Sequence, residues 1–190
     1  AGATPPDHWV HDERIGGGRI LGDACHFIDL VVRLTGSPVA LINAMQISGG
    51  SAVLEDKMVL SLQTEDGSIA SICYFANGSK SFPKETLQIF SDNRVLVIDN
   101  FRRTTGYGFK GFRSLRTNRQ EKGHRQQFAA FFQAIRAGGP WIVPFSELEN
   151  VATSAIAAVH SAQSNQAVDL ATYYQQSQTT IETQSTAPVV

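Results

Sequence analysis

In the stretch GGGRILGDACHFID, running from Gly16 to Asp29, an imidazole sits between two carboxylates at steps of three: Asp23, His26 and Asp29. On a helix, residues three or four apart share one side and their side chains meet. A carboxylate so placed can orient and tune an imidazole, whose charge changes between about pH 5 and 8, so the trio has the makings of a general acid/base unit. The same spacing fits a purely structural arrangement: Asp23 at the positive end of a helix dipole, His26 bonded to backbone, Asp29 on the surface.

Glycines at Gly16, Gly18 and Gly22 precede and enter this segment with a spacing that a phosphate-cradling loop could use. A dinucleotide fingerprint, however, needs a buried apolar strand before its first glycine, and HWVHDER is not one. A phosphate at the helix start is one use of the glycines; a tight turn with close packing is the favoured one. His8, His11, Asp12, Cys25 and His26 have no recognised metal-ligand spacing. Trp9 and Tyr107 are candidates to line a sugar-sized pocket or simply to pack. Arg102, Arg103, Arg113, Arg116 and Arg119 form a cluster that could meet a phosphate or carboxylate, or form a solvated face. Neither a Gly-x-Ser-x-Gly elbow nor a P-loop lysine motif occurs.

The elements that must position these residues can be read from periodicity. Pro5-Pro6 and the glycines make residues 1–18 a loop. From Gly22 or Asp23 the pattern turns helical, with Phe27, Leu30, Val31 and Leu34 at three- and four-residue steps and Gly36 as the stop. VALINAMQIS, KMVLSLQTE, SIASICYFA, ETLQIFSD and RVLVIDN read as strands, with turns at Asp66-Gly67, Asn77-Gly78 and Asp92-Asn93. Turns this short imply antiparallel pairing. RVLVIDN is apolar on both faces, so a second cover is expected there, a partner subunit being one candidate. After an Arg- and Gly-rich stretch, HRQQFAAFFQAIRAGG forms a helix, and SELE reads as a capping box of Ser146 with Glu149 opening another. Both helices are expected to pack on the sheet. The expected class is therefore α+β: an open, mainly antiparallel sheet with helices on one face, formed by residues 1–170, and a polar tail, 171–190, extended or mobile.

With 190 residues, 42% hydrophobic and 17% charged, the chain has the composition of a soluble globular protein with a proper core. Its 16 Lys and Arg against 17 Asp and Glu leave no field to attract nucleic acid or an anionic membrane. No apolar run is long enough to span a bilayer and no signal segment opens the sequence, which favours a cytoplasmic protein. The two cysteines, Cys25 and Cys73, are expected to be reduced and packed.

Three segments carry a family likeness. GGGRILGDACHFIDLVVRLTGSPV resembles the glycine loop and His-Asp helix of the Gfo/Idh/MocA oxidoreductases, most of all the bi-domain oxidoreductase branch. PKETLQIFSDNRVLVIDNF is similar to that family's strand pair. FAAFFQAIRAGGPWIVPFSELENVATSAIAAVHSAQSNQAVDL is similar to its closing helices. The resemblance implies the C-terminal α/β domain of a longer enzyme, whose N-terminal Rossmann domain binds NAD or NADP and carries a Glu-Lys-Pro lysine. Neither feature has a counterpart here, so the implied domain cannot transfer hydride alone. By the same resemblance, His26 is the acid/base acting on a substrate hydroxyl and Asp29 supports its helix. The family form places an aspartate four residues before the histidine; here Gly22 holds that position and Asp23 follows, about 100° around a regular helix. The reading implied is a substrate-binding and oligomerisation domain of an NAD(P)-dependent oxidoreductase for a sugar, sugar nucleotide or polyol. His8, Trp9, His11, Arg19 and Asp29 would border the substrate, and the sheet face would form a homo-oligomer. The rival reading is a non-catalytic interaction module that self-associates through its sheet.

Overall fold

Alternating burial along three consecutive segments, with one register shift between Val39 and Leu41, builds the first sheet. The computed structural model describes residues 5, 7–12, 14–47 and 57–176. Pro6 and residues 177–190 of the expected tail lie outside the described residues. The chain divides into two compact units, one made of the residues up to Asn77 and those from Val143 on, the other of Gly78–Ile142.

In the first unit, β1 (Val39–Gln46), β2 (Lys57–Thr64), β3 (Ile69–Phe75) and β8 (Val168–Asp169) form an antiparallel sheet in the order β3-β2-β1-β8. One face presents Ile42, Ala44, Met58, Leu60, Ile72 and Tyr74, all buried. It is covered by α1 (Cys25–Thr35) through Ile28 and Val32, and by α3 (Phe145–Ser164) through a row of small residues that includes Ala155, Ala158 and Ala162. Small side chains bring the α3 backbone close to the sheet, and two polar residues of α3 exploit this. The carboxamide of Asn150 accepts from the Val39 amide at 2.9 Å and donates to the Val39 carbonyl at 3.0 Å. Ser161 Oγ accepts from the Ala44 amide at 2.9 Å. Because β8 pairs with β1 only at Leu41 and Ile42, these side chains satisfy backbone groups on either side of that pairing.

Several local expectations change here. The helix at α3 begins earlier than SELE indicates: Pro144, extended at ψ 141°, supplies the carbonyl that accepts from Glu147 and Leu148, so Ser146 lies inside the first turn and no side-chain cap forms. Glu147 instead pairs with Arg33 at 3.1 Å and Glu149 accepts from the Tyr174 hydroxyl at 2.9 Å. The tail is not extended at its start: residues 170–176 are helical, with Asp169 Oδ1 accepting from the Thr172 amide at 2.9 Å as a cap. Cys73 is not packed, since alternation in β3 sends it to the open face opposite Tyr74.

In the second unit, β4 (Thr86–Ser91), β5 (Arg94–Asp99), β6 (Arg103–Tyr107) and β7 (Ser114–Arg116) form a second antiparallel sheet in sequential order. The open, antiparallel α+β character matches the expectation, with the strands parted into two sheets. α2 (His124–Ala137) ends at a left-handed Gly138 as predicted, but it has no buried residue: Phe128, Phe131, Phe132 and Ile135 are all exposed. The expectation that it packs on the sheet does not hold within this unit. No residue of this unit is buried.

Candidate active site

The loop before α1 is held by its own backbone. Trp9–His11 form one turn of 3-10 helix, and the Asp12 carbonyl accepts from the amides of Ile15, Gly16 and Gly17. A Cβ on Gly16 would stand 2.6 Å from the Trp9 carbonyl oxygen and from Val10 Cα, and Gly17 and Gly18 take left-handed φ of 66° and 81°. The glycines thus serve close packing and a reversal of the chain. Among the described residues they form no cradle for a dinucleotide.

Arg19 already has helical geometry, and the helix then widens into a π-turn over Ile20–Ala24, with the Cys25 amide bonded to the Ile20 carbonyl, before continuing as α1. The helix therefore starts three or four residues earlier than its apolar periodicity suggests, and Asp23 lies inside the π-turn rather than at a helix start. The regular-helix offset of about 100° between Asp23 and the usual carboxylate position does not apply across it.

Asp23 is clamped. Its Oδ2 accepts from Arg19 Nε at 3.0 Å and from the Tyr74 hydroxyl at 2.7 Å, and Arg19 NH2 lies 2.8 Å away. Arg19 Nε also donates to the Tyr74 oxygen at 2.9 Å, and its guanidinium lies over the Tyr74 ring, 5.6 Å from the centroid. Burial alone pushes the Asp23 carboxyl up. The Tyr74 hydrogen bond and the Arg19 guanidinium outweigh it, with a smaller contribution from the charge of His26, and hold the carboxyl below its usual range. Tyr74 is shifted upward by burial and by the carboxylate it donates to. These bonds all fall on Oδ2. Tyr74 does not figure among the sequence candidates, although the alternation of SIASICYFA puts it on the inward face, where a phenol needs a polar partner.

The remaining candidates separate by environment. His26, on the first turn of α1, is exposed and bonds to no described side chain; Asp29, one turn on, is half-buried. Arg19, expected to border a substrate, is 6% exposed and committed to the clamp. His8 Nδ1 accepts from the Val10 amide at 3.3 Å and its ring lies 5.6 Å from that of Trp9, which is 60% exposed. His11 is half-buried at the end of the 3-10 turn. Burial pushes the Cys25 thiol up, away from the thiolate form. Among the described residues no group of His, Cys, Asp and Glu is assembled to hold a metal, and no helix is long and apolar enough to cross a membrane. The structure thus joins Asp23 with Arg19 by bonds and with His26 by charge, and His8 with Trp9, on either side of the glycine reversal.

This fold is one found as about half of a set of solved dehydrogenases. Levoglucosan dehydrogenase in complex with NADH matches with a TM-score of 0.71 at 21% identity, over 88% of this chain and 55% of that one. The same enzyme with NADH and L-sorbose matches with a TM-score of 0.72. GenD2 from gentamicin A biosynthesis, in complex with NAD, matches with a TM-score of 0.63 at 18% identity, over 88% of this chain and 52% of that one. The likeness is one of fold, and it agrees with the resemblance to the Gfo/Idh/MocA oxidoreductases carried by the sequence motifs. The sequence matches no protein-family model and no curated protein.

Proposed function

We propose that this chain is the substrate-binding and oligomerisation domain of an NAD(P)-dependent oxidoreductase acting on a hydroxyl of a sugar, sugar nucleotide or polyol, with His26 as the acid/base. The observation that carries this is the pairing of an exposed, unbonded imidazole with a helix start fixed by a partly buried clamp. Arg19, Asp23 and Tyr74 lock the π-turn, and the turn sets His26 at a defined place on the surface. π-turns recur at functional sites because they break helix regularity at one chosen point. NAD(P), held by residues other than those described, supplies hydride acceptance. His26 receives the hydroxyl proton as the substrate is oxidised and returns it in the reverse direction. Asp23 is a positioning residue whose charge favours the imidazolium that results, while His8, Trp9 and His11 border the sugar. Asp29 supports the helix one turn on.

Self-association is supported by the open face of the first sheet. Leu41, Met45, Ile69 and Phe75 are exposed there beside Val59 and Cys73, with Ser61, Ser71 and Asn43 between them and Lys57 as the one charge on those strands. A face so poor in charge suits burial against a like face. This same face favours the second reading, a self-associating module without catalysis.

The test uses the full-length gene product, screened with sugars, sugar nucleotides and polyols for reduction of NAD+ and NADP+. Turnover with one of these substrate classes supports the reading. A full-length product that carries no dinucleotide-binding domain, or that reduces neither cofactor while forming stable oligomers, establishes the interaction module instead.

A further inference from the structure

The second unit has a feature that acid/base chemistry at α1 does not use. Register places Thr86, Asp99, Arg103 and Arg116 in one row across β4, β5, β6 and β7, so Arg103 and Arg116 are direct cross-strand partners. Like charges directly opposite on a sheet repel. Arg102, at the end of the β5–β6 turn, brings a third guanidinium to the same place. Together with Thr117 and Asn118 these residues line a cavity of about 410 Å³.

Two other cations close to these strands have partners, while Lys110, Arg113, Arg119 and Arg125, like the three arginines, stand in no ion pair among the described residues. Arg94 pairs with Asp92 at 2.9 Å and lies over the Phe109 ring, and Lys122 pairs with Glu85 at 2.7 Å. Among the described residues no ion pair engages Arg102, Arg103 or Arg116, and Asp99 pairs with none of them. Three guanidinium charges against the one carboxylate leave two positive charges unmatched.

The turn beside the cavity is firmly built. Asn100 and Phe101 form the β5–β6 turn with φ of 49° and 51°, a conformation that costs an aromatic residue about 1 kcal/mol or more and persists only where surroundings hold it. They do so here: the Asn100 amide donates to Glu85 at 2.7 Å, the Thr117 amide to the Arg102 carbonyl at 2.9 Å, and the Glu121 amide to the Phe101 carbonyl at 3.0 Å. Gln120 Nε2 donates to Asn100 Oδ1 at 3.1 Å. A fixed backbone that faces two arginines across a ladder is the geometry in which planar guanidinium groups grip a tetrahedral oxyanion.

We propose that this cavity binds a dianionic phosphate group of a small molecule, with Arg103 and Arg116 gripping its oxygens, Arg102 closing one side and Asp99 limiting the site to two net positive charges. A monoester phosphate carries close to two negative charges at neutral pH, which matches; a lone carboxylate carries one. The cavity's size suits a compact ligand, and the chain's net charge of −1 provides no extended basic track for a nucleic acid or a membrane.

Calorimetry on the purified chain with inorganic phosphate and with pyrophosphate, at constant ionic strength set by chloride, tests this directly. Saturable binding is expected, weakened about tenfold or more by Arg103→Gln and by Arg116→Gln and left unchanged by Arg136→Gln on α2. Asp99→Asn should tighten binding several-fold, a gain that impaired folding cannot imitate. Absence of a saturable signal at 10 mM phosphate or pyrophosphate, equal weakening by Arg136→Gln, or weaker binding by Asp99→Asn would overturn the assignment. So would tighter binding of a single-stranded oligonucleotide than of pyrophosphate. Because the readout is binding, failure here leaves the role of His26 standing, and failure of His26 leaves this site standing.

Discussion

The two four-stranded sheets have equal strand number and the same antiparallel pairing, yet the first is closed on one side and the second is closed on neither. β1, β2 and β3 alternate in burial, so one face holds the fully buried apolar residues, and α1 and α3 cover it with residues such as Ile28, Val32, Ala157 and Ala158 that are almost fully buried. β5 offers Val95, Leu96, Val97 and Ile98 to both faces, and each remains only half-buried. A strand that is apolar on two sides asks for two covers, and no residue of Gly78–Ile142 finds even one that buries it completely. The difference separates a unit that stabilises itself from one whose apolar surface, including the phenylalanines of α2, is suited to meeting something else.

The comparison breaks most readily at the core. Leu60→Ala in the first sheet should cost about 2–5 kcal/mol in urea unfolding, whereas Val97→Ala in the second should cost less than about 1 kcal/mol. Equal losses would show that the second sheet is covered in solution, and repeating the measurement across protein concentration would tell whether a second copy provides the cover. Next in size, Tyr74→Phe removes the hydroxyl that joins Arg19 to Asp23 and should cost about 1–2 kcal/mol. A smaller effect is expected with pH. Asp23 has a lowered carboxyl in the folded state, so its contribution is full above the ordinary carboxylate range and is lost as pH falls through the folded value, below about pH 4. In Asp23→Asn this part of the acid loss should vanish from the stability profile; an unchanged acid limb would mean that the clamp does not hold the carboxylate charged. Smallest for stability, Ile69→Lys on the open face should change unfolding by less than about 0.5 kcal/mol. In light scattering it should nonetheless shift any oligomer toward monomer, and a mass distribution identical to that of the parent would remove this face from the interface.

Much of the first unit is legible in the sequence because its physics is local. Period-two alternation in VALINAMQ, KMVLSLQT and IASICYF, and three- and four-residue steps in HFIDLVVRL, state which side of each element faces the core. β6 and β7 are not legible, since RTTGY and SLR carry arginine, glycine and hydroxyl residues in place of an apolar alternation and form by pairing with β5. The two residues of β8 are too few for any periodicity. SELE has the composition of a capping box, but Pro144 already provides the turn that starts α3. At the site, His26 and Asp23 are visible from spacing alone. The clamp that fixes them is not, because it joins Arg19 to Tyr74 across 55 positions and depends on a π-turn that apolar periodicity does not mark.

The measurement closest to the centre of this account is steady-state turnover of the full-length protein with and without His26, across pH, on a substrate found by the cofactor-reduction screen. His26→Ala should lower kcat by about 10²-fold or more while changing KM little, and should flatten the acid side of the pH profile. Undiminished kcat with an unchanged pH profile in His26→Ala would contradict it.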